Sequence, residues 1–132
     1  MVAICNANGT IVNNFALQVQ MKLTSGDGGG IVFRNNGKSS YRFRVGSDGT
    51  FDLVNSKKGL VSGPSTAIKK GSKLSNVLTV IAQGKHIYLF VNGQLLANVQ
   101  DSASSSGKIG LFAVDFTHPT QAVFTNLKAW AL

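Results

Sequence analysis

The chain is expected to fold as one all-β domain over residues 1–132, an antiparallel β-sandwich of two sheets arranged as a jelly roll. Three observations lead there. Asn92-Gly93 sits between two apolar runs, and this dipeptide favours a type I′ turn because both central residues need positive φ. Residues 15–23 alternate apolar and polar side chains without a break, the period of a half-buried strand. No long segment carries the 3.6-residue period of a helix, and short strands recur between turn-forming clusters.

In residues 15–23, Phe15, Leu17, Val19, Met21 and Leu23 face the core, while Ala16, Gln18, Gln20 and Lys22 face out. Ser25-Gly26-Asp27-Gly28-Gly29-Gly30 is expected to turn the chain, and its glycines precede no helix that could cradle a phosphate. Residues 31–34 form the next strand, closed by Asn35-Asn36-Gly37.

The following hairpin is registered by parity. Tyr41, Phe43, Val45, Phe51 and Leu53 must share the buried face, and residues directly opposite lie on one side of a sheet. A three-residue loop, Ser47-Asp48-Gly49, with Gly49 left-handed, satisfies both conditions. It pairs Val45 with Phe51, Phe43 with Leu53, and Arg44 with Asp52. An exposed ion pair contributes only about 0.2–1 kcal/mol, so Arg44–Asp52 serves to fix register.

Residues 55–76 read as irregular, with short edge strands expected at Leu60-Val61 and Thr66-Ala67-Ile68. Residues 77–99 form a three-stranded meander. The Asn92-Gly93 turn pairs Val91 with Gln94, Phe90 with Leu95 and Tyr88 with Ala97. A three-residue reversal at Gln83-Gly84-Lys85 pairs Ala82 with His86 and Val80 with Tyr88. Both faces are then largely apolar, which predicts a layer covered on both sides. A loop at 101–107, a strand at 108–114 and a turn at 118–120 follow. The last strand, 121–130, places Ala122, Phe124, Asn126, Lys128 and Trp130 on one face.

Composition narrows the function. Charged residues make up 14%, against about 25% in typical soluble domains, so Ser, Thr, Asn, Gln and Gly do most of the solvating. The formal charge of +8 reflects only five acids, and the basic residues are dispersed apart from Lys57-Lys58 and Lys69-Lys70. That pattern predicts no specific nucleic-acid binding, only weak adhesion to polyanions. No apolar run is long enough for membrane insertion, and no signal peptide precedes the first strand-like residues. The single cysteine, Cys5, cannot close a disulfide within the chain.

Catalytic constellations are missing from the pattern. There is no glutamate, and Asp27, Asp48, Asp52, Asp101 and Asp115 are too dispersed to pair on one strand face. His86 and His118 have no nucleophile elbow beside them. No cofactor is expected. Asp27, Asp101 and Asp115 are weak calcium candidates, since isolated acids in turns more often bond their own backbone. The best candidate surface is the outward face of the first hairpins. Arg34, Arg42 and Arg44 are expected to project there together, near Gln18, Gln20 and Asp52. Guanidinium forks beside amides suit sugar hydroxyls and carboxylates. Tyr88 and Trp130 are conceivable stacking platforms, although residues of these types in such strands more often belong to the core.

These segments also carry a family pattern. Gly26–Arg34, Tyr41-Arg42-Phe43 and Asp48-Gly49-Thr50-Phe51 resemble the first half of a concanavalin A-like lectin/glucanase domain. Leu78–Ala82, Leu89–Gly93, Gly107–Leu111 and Phe124–Leu127 resemble its second half. The resemblance is to laminin-G-like and family-16-glycosidase-like modules of bacterial extracellular proteins, and it covers roughly residues 5–130. Such glycanases use paired carboxylates on one strand, absent here, so the resemblance implies a non-catalytic module. It implies an extracellular or cell-surface setting, a glycan or cell-surface polymer as partner, and a role in binding or adhesion. Modules of this kind usually begin earlier, with a strand beside the C-terminal one. Residues 1–14 are therefore expected to be an edge or exchanged strand, and the alternative function is self-assembly through sheet edges into homo-oligomers.

Overall fold

The computed structural model describes the backbone of residues 2–70, 75–114 and 121–132, with side chains over the same ranges except 2–12, 24 and 25. It is a two-sheet antiparallel sandwich. One sheet has six strands in the order β1 (Val2–Val12), β10 (Gly107–Val114), β3 (Gly28–Asn35), β4 (Tyr41–Gly46), β5 (Thr50–Asn55), β6 (Gly59–Pro64). The other has five, in the order β11 (Gln121–Ala131), β2 (Phe15–Ser25), β7 (Ser75–Gln83), β8 (His86–Val91), β9 (Gln94–Gln100).

The core lies between the sheets. Phe15, Leu17, Val19, Met21 and Leu23 of β2 are buried as the alternation predicts. They meet Ile31, Phe33, Tyr41, Phe43, Val45, Phe51 and Leu53 from the six-stranded sheet. Phe33 links the layers, edge-on to Phe15 at 5.9 Å and stacked on Tyr41 at 5.2 Å between ring centroids. The β4–β5 hairpin keeps the expected register, with Gly49 at φ 83° and Arg44 opposite Asp52.

Five local expectations are corrected. Gly28, Gly29 and Gly30 are not turn residues; they begin β3, and only Gly26-Asp27 reverse the chain. Thr66-Ala67-Ile68 is a turn rather than a strand, closed by Ile68 N–H donating to the Ser65 carbonyl, with Ile68 buried. The loop before β8 has two residues, so Gln83 pairs with His86, Ala82 with Ile87 and Val80 with Leu89. Ile87, Leu89 and Val91 consequently face the core, while His86, Tyr88 and Phe90 face out, half-buried. The meander is covered on one side only.

An irregularity in the β8–β9 ladder then pairs Leu89 with Ala97 and Tyr88 with Asn98, although Phe90–Leu95 and Val91–Gln94 stand as expected. The last correction is in β11, where Thr125 pairs with Gln20 and Lys128 with Gln18, so that two residues face one and β11 carries one extra. Asn126 takes φ 55° there. Ala122 and Phe124 pack on the core, but Lys128 and Trp130 sit beside the outward Gln18 and Ala16. A bulge of this kind changes which face later residues occupy.

The N-terminal segment is an edge strand. β1 pairs with β10 of its own chain, Val2 opposite Val114 and Cys5 opposite Leu111. Among the described residues no helix is long and apolar enough to cross a membrane.

Candidate functional site

The outward face of β4, β5 and β6 carries two adjacent rows of side chains. Alternation on β4 buries Tyr41, Phe43 and Val45 and turns Arg42 and Arg44 outward. One row runs Gly30, Arg44, Asp52, Ser62 across four strands; the next runs Val32, Arg42, Val54, Gly59. Between β5 and β6 lies an open groove of about 590 Å³ lined by Asp52, Val54, Gly59, Leu60, Val61 and Ser62. Glycine at 59, opposite Val54, leaves that end of the groove without a side-chain wall.

The polar row is held by charge. Arg44 Nε donates to Asp52 Oδ2 at 2.9 Å, with side-chain exposures of 17% and 29%. Its Nη2 donates to Thr50 Oγ1 at 3.4 Å, and Thr50 Oγ1 donates to Asp48 Oδ1 at 2.6 Å. The Thr50 hydroxyl bond, opposed by partial burial and aided by the Thr50 N–H and by Arg44, holds the Asp48 carboxyl below the usual carboxylate range. Asp48 and Asp52, expected to be unrelated, thus converge on one arginine. Gly46 makes this possible, because a Cβ there would stand 2.7 Å from Arg44 Nη1 and 2.6 Å from Asp48 Oδ1. Arg42 lies beside the pair, its guanidinium carbon 5.6 Å from the Phe112 ring centroid. Phe112, Val32 and Val114 form a small buried cluster on this same face.

Arg34 does not join the other two arginines. It is wholly buried, with φ 50°, at a register shift where Lys108 pairs with Asn35 and Gly110 with Val32. The bulge turns its side chain towards the end of the sandwich. There Nε and Nη2 donate to the Asn13 carbonyl at 3.1 and 2.9 Å. Nη1 donates to the Gly84 carbonyl at 2.7 Å and the Ser104 carbonyl at 3.3 Å. Gln18 and Gln20 are also elsewhere, on the outward face of the five-stranded sheet, where Gln20 Oε1 accepts from Asn126 Nδ2 at 3.1 Å. Of the predicted set, Arg42, Arg44 and Asp52 come together. Val54, Gly59 and Ser62 were missed because the register of β6 could not be read from residues 55–76.

Of the calcium candidates, the two described, Asp27 and Asp101, do not converge. Asp115 and His118 lie outside the described residues. Asp27 sits in the β2–β3 turn, its carbonyl accepting from Ser47 N–H at 2.9 Å. The Asp101 carboxylate accepts from Tyr41 Oη at 2.6 Å, Ala103 N–H at 3.0 Å and Asn55 Nδ2 at 3.3 Å. Among the described residues no three metal-ligating side chains cluster.

That Tyr41–Asp101 contact makes stability depend on pH at both extremes. Burial opposes ionisation of Asp101, but the Tyr41, Ala103 and Asn55 bonds outweigh it and lower its pKa. Burial first, and the bond to Asp101 second, push Tyr41 up to about 12. A lowered carboxylate contributes stability above its unfolded value, lost as pH falls below about 4. A raised phenol contributes stability below its unfolded value, lost as pH climbs from about 10 towards 12. Thermal melts across pH should show both limbs, and Tyr41→Phe should remove the alkaline one and shrink the acid one.

Comparison with known proteins places this architecture. Residues 7–128 match the model of the 3-keto-alpha-glucoside-1,2-lyase-like domain. The chain belongs to that family. No curated protein matches this lyase-like domain by sequence. Its fold is that of the carbohydrate binding module CBM66 from Bacillus subtilis, with TM-score 0.84 and 17% identity over 97% of this chain and 81% of that one. A glycosyl hydrolase-like protein from Parabacteroides distasonis aligns with TM-score 0.70 and 16% identity, over 93% and 80% of the two chains. Sheep galectin-11 aligns with TM-score 0.64 and 13% identity, over 97% and 96%. At these identities the likeness is one of fold.

Proposed function

We propose that this lyase-like domain is a non-catalytic carbohydrate-binding module of an extracellular or cell-surface protein, taking its glycan in the β5–β6 groove. The observation that carries the reading is the polar pair Asp52–Ser62 on the groove wall, with Arg44 holding Asp52 from the next strand, beside the apolar Val54 and the open position at Gly59. A sugar ring presents hydroxyls on its rim and C–H groups on its faces, and the polar pair and the apolar Val54 beside it match those two chemistries. Arg44 and Asp52 hold each other in place before any ligand arrives, which lowers the ordering cost of binding. The carbohydrate binding module and the galectin with the same fold support the reading.

Hydrolysis of a glycoside fits the site poorly. A general acid needs a carboxyl whose pKa is raised towards neutrality, and Asp48 is pushed the other way. Asp52 is tied to Arg44. The test is a glycan array followed by calorimetry on the best ligand. Arg44→Ala and Asp52→Asn should each weaken binding by about tenfold, the loss expected for a charge-assisted hydrogen bond. Arg42→Ala should weaken it less. Unchanged affinity in all three variants would remove the groove as the site.

A further inference from the structure

The opposite side of the sandwich has a different chemistry. Register across the five-stranded sheet aligns Trp130, Ala16, Ile81, Tyr88 and Asn98 in one outward row. Trp130 is 48% exposed and Tyr88 is half-buried. They stand three strand spacings apart, about 14 Å, with the low side chain of Ala16 and the apolar Ile81 between them. His86 stacks along β8 against Tyr88, with centroids 6.4 Å apart. Leu95, 55% exposed and opposite Phe90, stands beside the row on the same face.

Among the described residues, charge on this face has one sign. Lys22 and Lys128 project from it, both exposed. The chain has no glutamate. Asp52 lines the groove on the other sheet, Asp48 sits in the β4–β5 turn beside it, Asp27 in the β2–β3 turn, and the Asp101 carboxylate is taken by Tyr41. Asp115 lies outside the described residues. An aromatic and apolar track with Lys128 at its edge, a second lysine farther along the face and no described acid is complementary to a polymer with flat apolar ring faces and negative substituents.

We infer that the outward face of the five-stranded sheet is a second binding surface, for an anionic polysaccharide laid across the strands along the row from Trp130 to Tyr88. The rings supply C–H/π platforms, and Lys128, two residues from Trp130 on β11, meets the carboxylates or sulfates of the chain. This surface lies on the other side of the sandwich from the groove and does not depend on what the groove binds.

Trp130 is the sole tryptophan, so its fluorescence reports this surface directly. The full chain is titrated with polygalacturonate and, in parallel, with neutral dextran. Polygalacturonate should shift the emission, and raising salt from about 50 to about 500 mM should weaken the response because exposed charges are screened. Lys128→Ser and Tyr88→Ala should each reduce the affinity about fivefold, as expected for loss of one charge or ring contact, with melts confirming a folded chain. An equal response to dextran, or no response to either polymer, overturns the inference. So does a loss confined to Arg44→Ala, which would put the polymer in the groove. Tighter binding to phosphatidylglycerol vesicles, or an emission shift with protein concentration alone, would assign the face to a membrane or to a second copy and would equally refute it.

Discussion

Replacing Arg34 by Met is expected to destabilise the fold by about 3–4 kcal/mol, a large share of the roughly 5–15 kcal/mol that holds a domain of this kind together. Its guanidinium serves the carbonyls of Asn13, Gly84 and Ser104, which belong to the β1–β2, β7–β8 and β9–β10 connections. Ser104 returns a bond, its Oγ donating to the Arg34 carbonyl at 2.7 Å. Methionine keeps the apolar stem but leaves the buried Ser104 carbonyl without this donor, at about 1–3 kcal/mol, and breaks the part-buried bonds to the Asn13 and Gly84 carbonyls, at about 1 kcal/mol each. Relief from burying a charge offsets part of that, since burial already lowers the pKa of Arg34. Arg34→Lys should lose about half as much, because one ammonium cannot span three carbonyls in different directions. Arg34→Gly separates backbone from side chain: it relieves the left-handed φ of 50° yet should remain nearly as unstable as the methionine variant. Urea denaturation measures all three, and a loss below about 1 kcal/mol for Arg34→Met would show that water replaces the guanidinium there.

Arg34 also marks where sequence reading stops. Alternation is a reliable guide while a ladder is regular, and it placed the inward residues of β2, β4 and β5 correctly. Parity went further on the β4–β5 hairpin, where it fixed the loop length and brought Arg44 opposite Asp52. One extra residue in a ladder, however, inverts everything beyond it. Such an irregularity separates Arg34 from Arg42 and Arg44, another carries Trp130 to the outward face, and a third shifts Ala97 from Tyr88 to Leu89. None has a local composition signal: the left-handed residues at the first two are Arg34 and Asn126, where glycine would have announced the break. With both faces of the meander apolar, burial cannot choose between a three-residue reversal at Gln83-Gly84-Lys85 and the two-residue loop Gly84-Lys85 that the structure has, which pairs Gln83 with His86 and turns Ile87 inward.

The groove was half legible for a related reason. Its β4 and β5 side came from alternation, whereas its β6 side depends on a strand whose burial is incomplete and whose pattern is correspondingly weak. An edge strand over a solvent-facing groove has no full apolar stripe to declare it. Placement on opposite sheets could not be read either. Gln18 and Arg42 are both outward, but outward from different layers, and only strand order distinguishes them.

Gly30→Ala is expected to be the most disruptive single methyl in the six-stranded sheet. A Cβ at Gly30 would overlap the Phe43 carbonyl oxygen and stand 3.2 Å from the Arg44 Cα, both of them backbone atoms of β4. A flexible side chain could rotate away; a strand paired on both sides cannot. β3 is paired with β4 and β10, so relief requires the ladder itself to open. The expected loss is about 3 kcal/mol or more, at the upper end of overpacking effects, with a marked fall in yield if the margin is exceeded. Gly63→Ala on β6, where nothing lies within 4 Å of the added carbon, should change stability by no more than about 0.5 kcal/mol. Function should follow the backbone. Movement of β4 displaces Arg44 from Asp52, so whatever Gly30→Ala protein folds should bind the groove ligand more weakly, while Gly63→Ala keeps wild-type affinity. Paired denaturation and calorimetry on the two variants check this, and equal stability of both would mean that β3 and β4 are not held as closely as their register places them.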